Sequence, residues 1–93
     1  MNVPPPTENL TIHHRIKDCP TWRKGYDEHE TSRVAAGITN GKVFRGAEDP
    51  NDVLILQDVV DMGRARAWLI GEDLKAAMQK AGVVGPTRFH FSV

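Results

Sequence analysis

The sequence predicts an α+β domain with elements in the order β-α-β-β-α-β, and three observations carry that prediction. Leu10 to Lys17 and Thr87 to Val93 alternate apolar with polar residues, the period of half-buried strands. Two longer segments, ending at Ala36 and Ala81, space their apolar residues at helical intervals, and each is followed by a glycine suited to the C′ position. Lys42 to Ala47 and Asp52 to Val60 lie between them, joined by so short a link that they must form an antiparallel hairpin. This order is the split βαβ pattern of a ferredoxin-like, four-stranded antiparallel sheet.

The elements follow in order. Residues 1–9 hold Pro4-Pro5-Pro6 and read as a Pro-rich leader, flexible or lying across a neighbour, ahead of a single domain over 10–93. In the first strand Leu10, Ile12, His14 and Ile16 share one face, so His14 is the odd member of an apolar row. Asp18 and Thr21 can each cap the helix that follows, and Pro20 suits its first turn. That helix is expected to run to Ala36 and stop at Gly37. Its inward stripe is unusual: at 100° per residue Trp22, Tyr26, His29 and Arg33 fall within an arc of roughly 60°.

Thr39-Asn40-Gly41 carries a turn signal, and Glu48 to Asn51 a second one around Pro50. Asp52 to Val60 is the most hydrophobic segment and is expected as a central strand. Asp61 caps a helix through Ile70, Gly71 interrupts it, and Glu72 to Ala81 continues with Leu74, Ala77, Met78 and Ala81 on one face. After Gly85-Pro86 the last strand carries Phe89, Phe91 and Val93 on one side. Helices cover one face of such a sheet. The other is expected to be apolar on the first and third strands, which predicts a homodimer with sheets packed face to face.

Composition excludes several classes. The 93 residues are 40% hydrophobic and 26% charged, ordinary for a globular domain. Twelve basic residues balance twelve acidic ones and are spread along the chain, which argues against nucleic acid as a partner. No apolar run approaches the ~20 residues of a membrane span, and no signal-peptide pattern opens the chain, so a cytoplasmic location without membrane contact is expected. Cys19 has no partner for a disulfide and reads as a filler at a strand-to-helix turn rather than a nucleophile. His13 and His14 face opposite sides of a strand and cannot share an ion, so no metal is expected. Haem on His14 or His29 has no other feature calling for it. No Gly-rich phosphate loop is present, and no cofactor is expected.

His14-Arg15-Ile16-Lys17-Asp18 with Trp22, then Tyr26-Asp27-Glu28-His29 and Arg33, Val43-Phe44-Arg45, Asp49-Pro50-Asn51 and Leu74-Lys75-Ala76-Ala77-Met78 form a recognisable set. On these the chain resembles the dimeric α/β-barrel superfamily that includes the antibiotic-biosynthesis-monooxygenase-like proteins. It is most similar to a subgroup of small bacterial proteins loosely labelled cyclases. The resemblance implies a dimeric α/β barrel with a ligand pocket between sheet and helices of each subunit. An Asn in the first half working with a Trp and an Arg, as in the cofactor-free oxygenases, is not matched residue by residue.

If His14 faces the helices, it meets the stripe of the first helix there. His14 and His29 are then the candidate catalytic acid and base. Arg33 is a binder of carboxylate or enolate, and Trp22 and Tyr26 are flat walls for a small aromatic ligand. Arg45 shares a strand face with Val43 and reaches either the pocket or the dimer seam. Two function classes stay open. One is a cofactor-independent cyclase or isomerase acting on an aromatic or polyketide-like molecule, with a cofactor-free or haem-linked monooxygenase as its variant. The other is a non-catalytic binding or structural dimer in which these side chains satisfy one another.

Overall fold

The computed structural model describes residues 8–93. Its elements are β1 (Glu8–Ile16), α1 (Cys19–Glu28), α2 (Glu30–Ala35), β2 (Ile38–Arg45), β3 (Asp52–Val59), α3 (Met62–Leu69), α4 (Glu72–Lys80) and β4 (Val83–Ser92). The strands form one antiparallel sheet in the order β2-β3-β1-β4, the ferredoxin-like arrangement, with each expected helix built as two shorter ones. β1 starts at Glu8, two residues before the alternation begins. The Pro-rich stretch of the expected leader lies outside the described residues.

Alternation decides the layering. Leu10, Ile12, His14 and Ile16 are buried toward the helices, while His13 and Arg15 are exposed on the opposite face. Val53, Ile55, Gln57 and Val59 do the same on β3, with Leu10 opposite Gln57, Ile12 opposite Ile55 and His14 opposite Val53. Trp22, Ile38, Ala65 and Ala81 close this core from the helices and β2. Each large aliphatic side chain so buried contributes about 1.5–3 kcal/mol. Where α1 meets α4, a Cβ on Gly25 would stand 2.8 Å from Cβ of Ala81. A glycine inside a helix costs about 1 kcal/mol relative to alanine, and here it permits the close crossing.

Three local expectations are corrected. The first helix breaks at His29 (φ −90°, ψ 4°) because Arg33 Nη1 donates to the Tyr26 carbonyl at 2.5 Å, and a side chain inserted into the helical ladder bends it. Thr39-Asn40-Gly41 is not a turn before the strand but a bulge inside β2, where three steps along β2 match two along β3. Asn40 takes the extra step with φ 53°, a conformation asparagine tolerates better than most residues, and its amide donates to Asp58 at 2.9 Å. β4 begins at Val83 rather than Thr87, with Gly85-Pro86 absorbed in an irregular pairing between His13 and Arg15. Proline survives there because β4 is an edge strand.

Gly37 and Gly82 follow α2 and α4 with φ of 78° and 80°, as expected of helix ends. Asp61 caps α3 by accepting from the Arg64 amide at 3.0 Å. On the outer sheet face Phe44, Leu54 and Leu56 form an apolar patch, Phe44 opposite Leu54. Thr11, His13 and Arg15 make the β1 part of that face polar, so the apolar surface expected from the first strand is absent. Among the described residues, no helix is long and apolar enough to cross a membrane.

Candidate active site

The first wall of the site is set by β1 and the start of α1. The Asp18 carboxylate accepts from the Thr21 amide at 2.8 Å and starts the helix; that bond holds its pKa below the usual carboxylate range. One residue on, Trp22 is buried and donates its indole N–H to Nε2 of His14 at 3.0 Å, the two rings meeting edge to face. Indole is only a donor, so Nε2 is the acceptor and the proton of the neutral imidazole sits on Nδ1. Burial, and secondarily the charge of His13, lowers the pKa of His14 to about 4. His14 is therefore neutral at pH 7. Its Nδ1 is buried without a partner among the described residues.

This bears on the role read from the sequence. A general base near pH 7 needs a pKa near 7 and a free lone pair. His14 has neither, since its only lone pair is taken by Trp22. What it offers is one fixed N–H donor.

A stacked column continues from Trp22. The Tyr26 ring lies parallel to it at 4.9 Å, and the Arg33 guanidinium carbon sits 3.7 Å from the Tyr26 ring centre. Arg33 is buried, and burial lowers its pKa. The Tyr26 hydroxyl accepts from Nε2 of Gln57 at 3.3 Å, leaving Oε1 of Gln57 buried and, among the described residues, unpartnered. A side chain on Gly41 would collide with that hydroxyl, so the glycine of the bulge makes room for it.

His29 forms the far wall with residues from the second half of the chain. Its ring stacks on Trp68 at 5.5 Å, and Nε2 lies 2.9 Å from Oδ2 of Asp73. The same oxygen accepts from the Ser32 hydroxyl at 2.5 Å, and Ser32 accepts from the Trp68 indole at 2.9 Å. The bonds from Ser32 and His29 hold the Asp73 carboxyl below its usual pKa, so it is ionised at pH 7. A carboxylate only accepts, which places a His29 proton on Nε2 and leaves Nδ1 as the basic nitrogen of the neutral ring.

His14, Trp22, Tyr26, His29 and Arg33 thus line one cavity, closed by Ile12, Gln57, Trp68 and Phe89. Its volume is about 50 Å³, room for a few waters or the end of a larger molecule. Arg45 is not among its walls; it stands exposed at the end of β2 and donates Nε to the Pro50 carbonyl at 2.8 Å. Among the described residues, no three His, Cys, Asp or Glu side chains gather where they could hold a metal.

Gln57, Ser32, Trp68 and Asp73 were missed by the sequence reading. Gln57 carried a signal, as the polar member of the apolar row Val53, Ile55, Val59. Asp73 and Trp68 carried none, because only the fold brings them to α2.

No family model and no curated protein matches this chain. Several solved structures share its fold. A protein from Bordetella bronchiseptica named as an antibiotic biosynthesis monooxygenase superposes with a TM-score of 0.75 at 11% identity, covering 94% of this chain and 95% of its own. SnoaB, a cofactor-independent oxygenase from Streptomyces nogalater, gives 0.70 at 9% identity over 94% and 91%. A third, from Caulobacter crescentus and also named for antibiotic biosynthesis monooxygenase, gives 0.70 at 11% over 92% and 87%. At such identities the likeness establishes the fold of the single chain, the ferredoxin-like one expected.

Proposed function

We propose that this chain is a cofactor-independent enzyme of the cyclase or isomerase kind, moving a proton on a small aromatic or polyketide-like molecule. The carrying observation is His29 on the cavity wall, its Nε2 held from outside the cavity by Asp73. A carboxylate that fixes the tautomer of an imidazole is the arrangement that readies a general base. His29 Nδ1 would take a proton from carbon beside a carbonyl, and the C–H electrons would move into the enolate. The enolate oxygen would accept the N–H of neutral His14, whose ring the Trp22 indole holds in place. His29 would then return the proton at a different carbon. The fold shared with SnoaB supports chemistry without a cofactor.

The cavity volume favours a second reading. At about 50 Å³ it is well below the ~300 Å³ of ordinary ligand sites, which suits a non-catalytic dimer whose polar groups serve the core. Deuterium uptake into enolisable phenols and 1,3-diketones, followed by ¹H NMR in D₂O, separates the two. The enzyme accelerates exchange on at least one probe, and His29→Ala abolishes it with the fold retained. Exchange at the buffer rate on every probe, with no shift in His29 resonances, leaves only the structural reading.

The working unit is proposed to be a homodimer through the patch of Phe44, Leu54 and Leu56, of which Phe44 is half exposed. Sedimentation should give twice the chain mass at micromolar concentration, and Phe44→Glu should give the monomer. A monomeric wild type rejects the dimer.

A further inference from the structure

We infer that the groove between α2 and the β2 bulge is a second binding site, built for a small aromatic carboxylate that also carries a hydroxyl. It goes beyond the reaction proposed above and does not require it. The groove has a volume of about 460 Å³, within the range of small-molecule sites, and shares Tyr26, Arg33 and Gln57 with the smaller cavity.

Two polar groups on its wall have bonding capacity to spare. The first is the guanidinium of Arg33, a residue 8% exposed. Among the described residues no carboxylate comes within 4.0 Å of it; Asp27, paired with Arg23 at 3.2 Å, and Glu30 also line the groove and act on Arg33 only through space. One bond, to the Tyr26 carbonyl, uses one of its five N–H groups and leaves the others free to donate. That bond and the Tyr26 ring hold the guanidinium in a fixed plane, which prepares it for the forked grip on a carboxylate. The second is Oε1 of Gln57, a residue 1% exposed, which needs a donor. Arg33 lies over the face of Tyr26 and Gln57 at its hydroxyl, so a ligand of about one substituted ring spans both. Val34, half exposed, supplies an apolar wall.

The probes are 4-hydroxybenzoate, benzoate and phenol, titrated into ¹⁵N-labelled full-length protein. 4-Hydroxybenzoate should give saturable shifts at the amides of Thr39, Asn40 and Gly41 and at Arg33 Nε–H, binding about tenfold more tightly than benzoate. Arg33→Lys should weaken binding about tenfold or more, because lysine keeps the charge and loses the fork. Gln57→Met should erase the preference over benzoate while benzoate still binds. No saturable shift up to about 10 mM, shifts centred instead on His14 and Phe89, or an unchanged preference in Gln57→Met overturns the inference. Should Arg33→Lys not fold, nuclear Overhauser contacts from the probe to Tyr26 and Arg33 in the wild type decide it, their presence sustaining the site and their absence overturning it.

Discussion

Acid should loosen this fold through His14 before its carboxylates titrate. In the folded chain His14 has a pKa of about 4, against 6.5 for an ordinary histidine. The folded state resists a proton that the unfolded chain accepts. Stability contributed by the neutral ring is therefore fully present above pH 6.5, falls as pH drops, and is gone below pH 4. The whole shift corresponds to roughly 3 kcal/mol, of which about 2 kcal/mol is lost between pH 7 and pH 5. Carboxylates with lowered pKa, such as Asp18, Asp49 and Asp73, act in the same direction but at lower pH. Urea unfolding of wild type and His14→Gln at pH 7, 6 and 5 measures the difference directly. Glutamine cannot titrate yet can still accept from the Trp22 indole, so its curve should lack most of the acid loss. If both proteins lose stability in parallel from pH 7 to pH 5, His14 is not the neutral buried acceptor described.

Two further predictions concern the same framework. Gly37→Ala and Gly82→Ala should each cost about 1 kcal/mol for a Cβ at positive φ, measured by urea unfolding. Gly37→Ala should cost more, because its Cβ would also stand 2.9 Å from Cβ of Asp61, whereas at Gly82 the nearest atom is a Lys17 methylene at an ordinary 3.6 Å. Ser32→Ala should cost about 1–2 kcal/mol by removing the acceptor of the Trp68 indole, and it should raise the Asp73 pKa, read by NMR titration of its carboxyl carbon.

The sheet and its helix-facing rows were legible because alternation is a local property: each inward residue of β1 can be named without knowing its partner. The stripe of Trp22, Tyr26, His29 and Arg33 was legible for the same reason and survives the break at His29, whose backbone stays close enough to helical to keep the phase. The bulge at Asn40 was misread as a turn because a positive φ leaves the same residue signature in either setting. The early start of β4 was hidden by Pro86, which marks a strand end only if its missing N–H would have been needed. In the site, sequence named side chains but not their pairings. Whether His14 is a base or a donor depends on Trp22 occupying Nε2, and the partner of His29 lies 44 residues away.

The crossing of α1 over α4 has a bearing on what the cavity can admit. Gly25 and Ala81 are both the point where the helices touch and part of the cavity lining, so they act as the shim that sets its width. A thicker shim would lever α4 away from α1 and carry Met78 and Leu74 outward with it, enlarging the space without altering a polar group. A thinner one at position 81 would let the walls meet. The size of molecule the proposed site would accept is thus set at two residues of the lining whose side chains are smallest, and exchanging small residues there would change that size while His14, His29 and Arg33 stay in place.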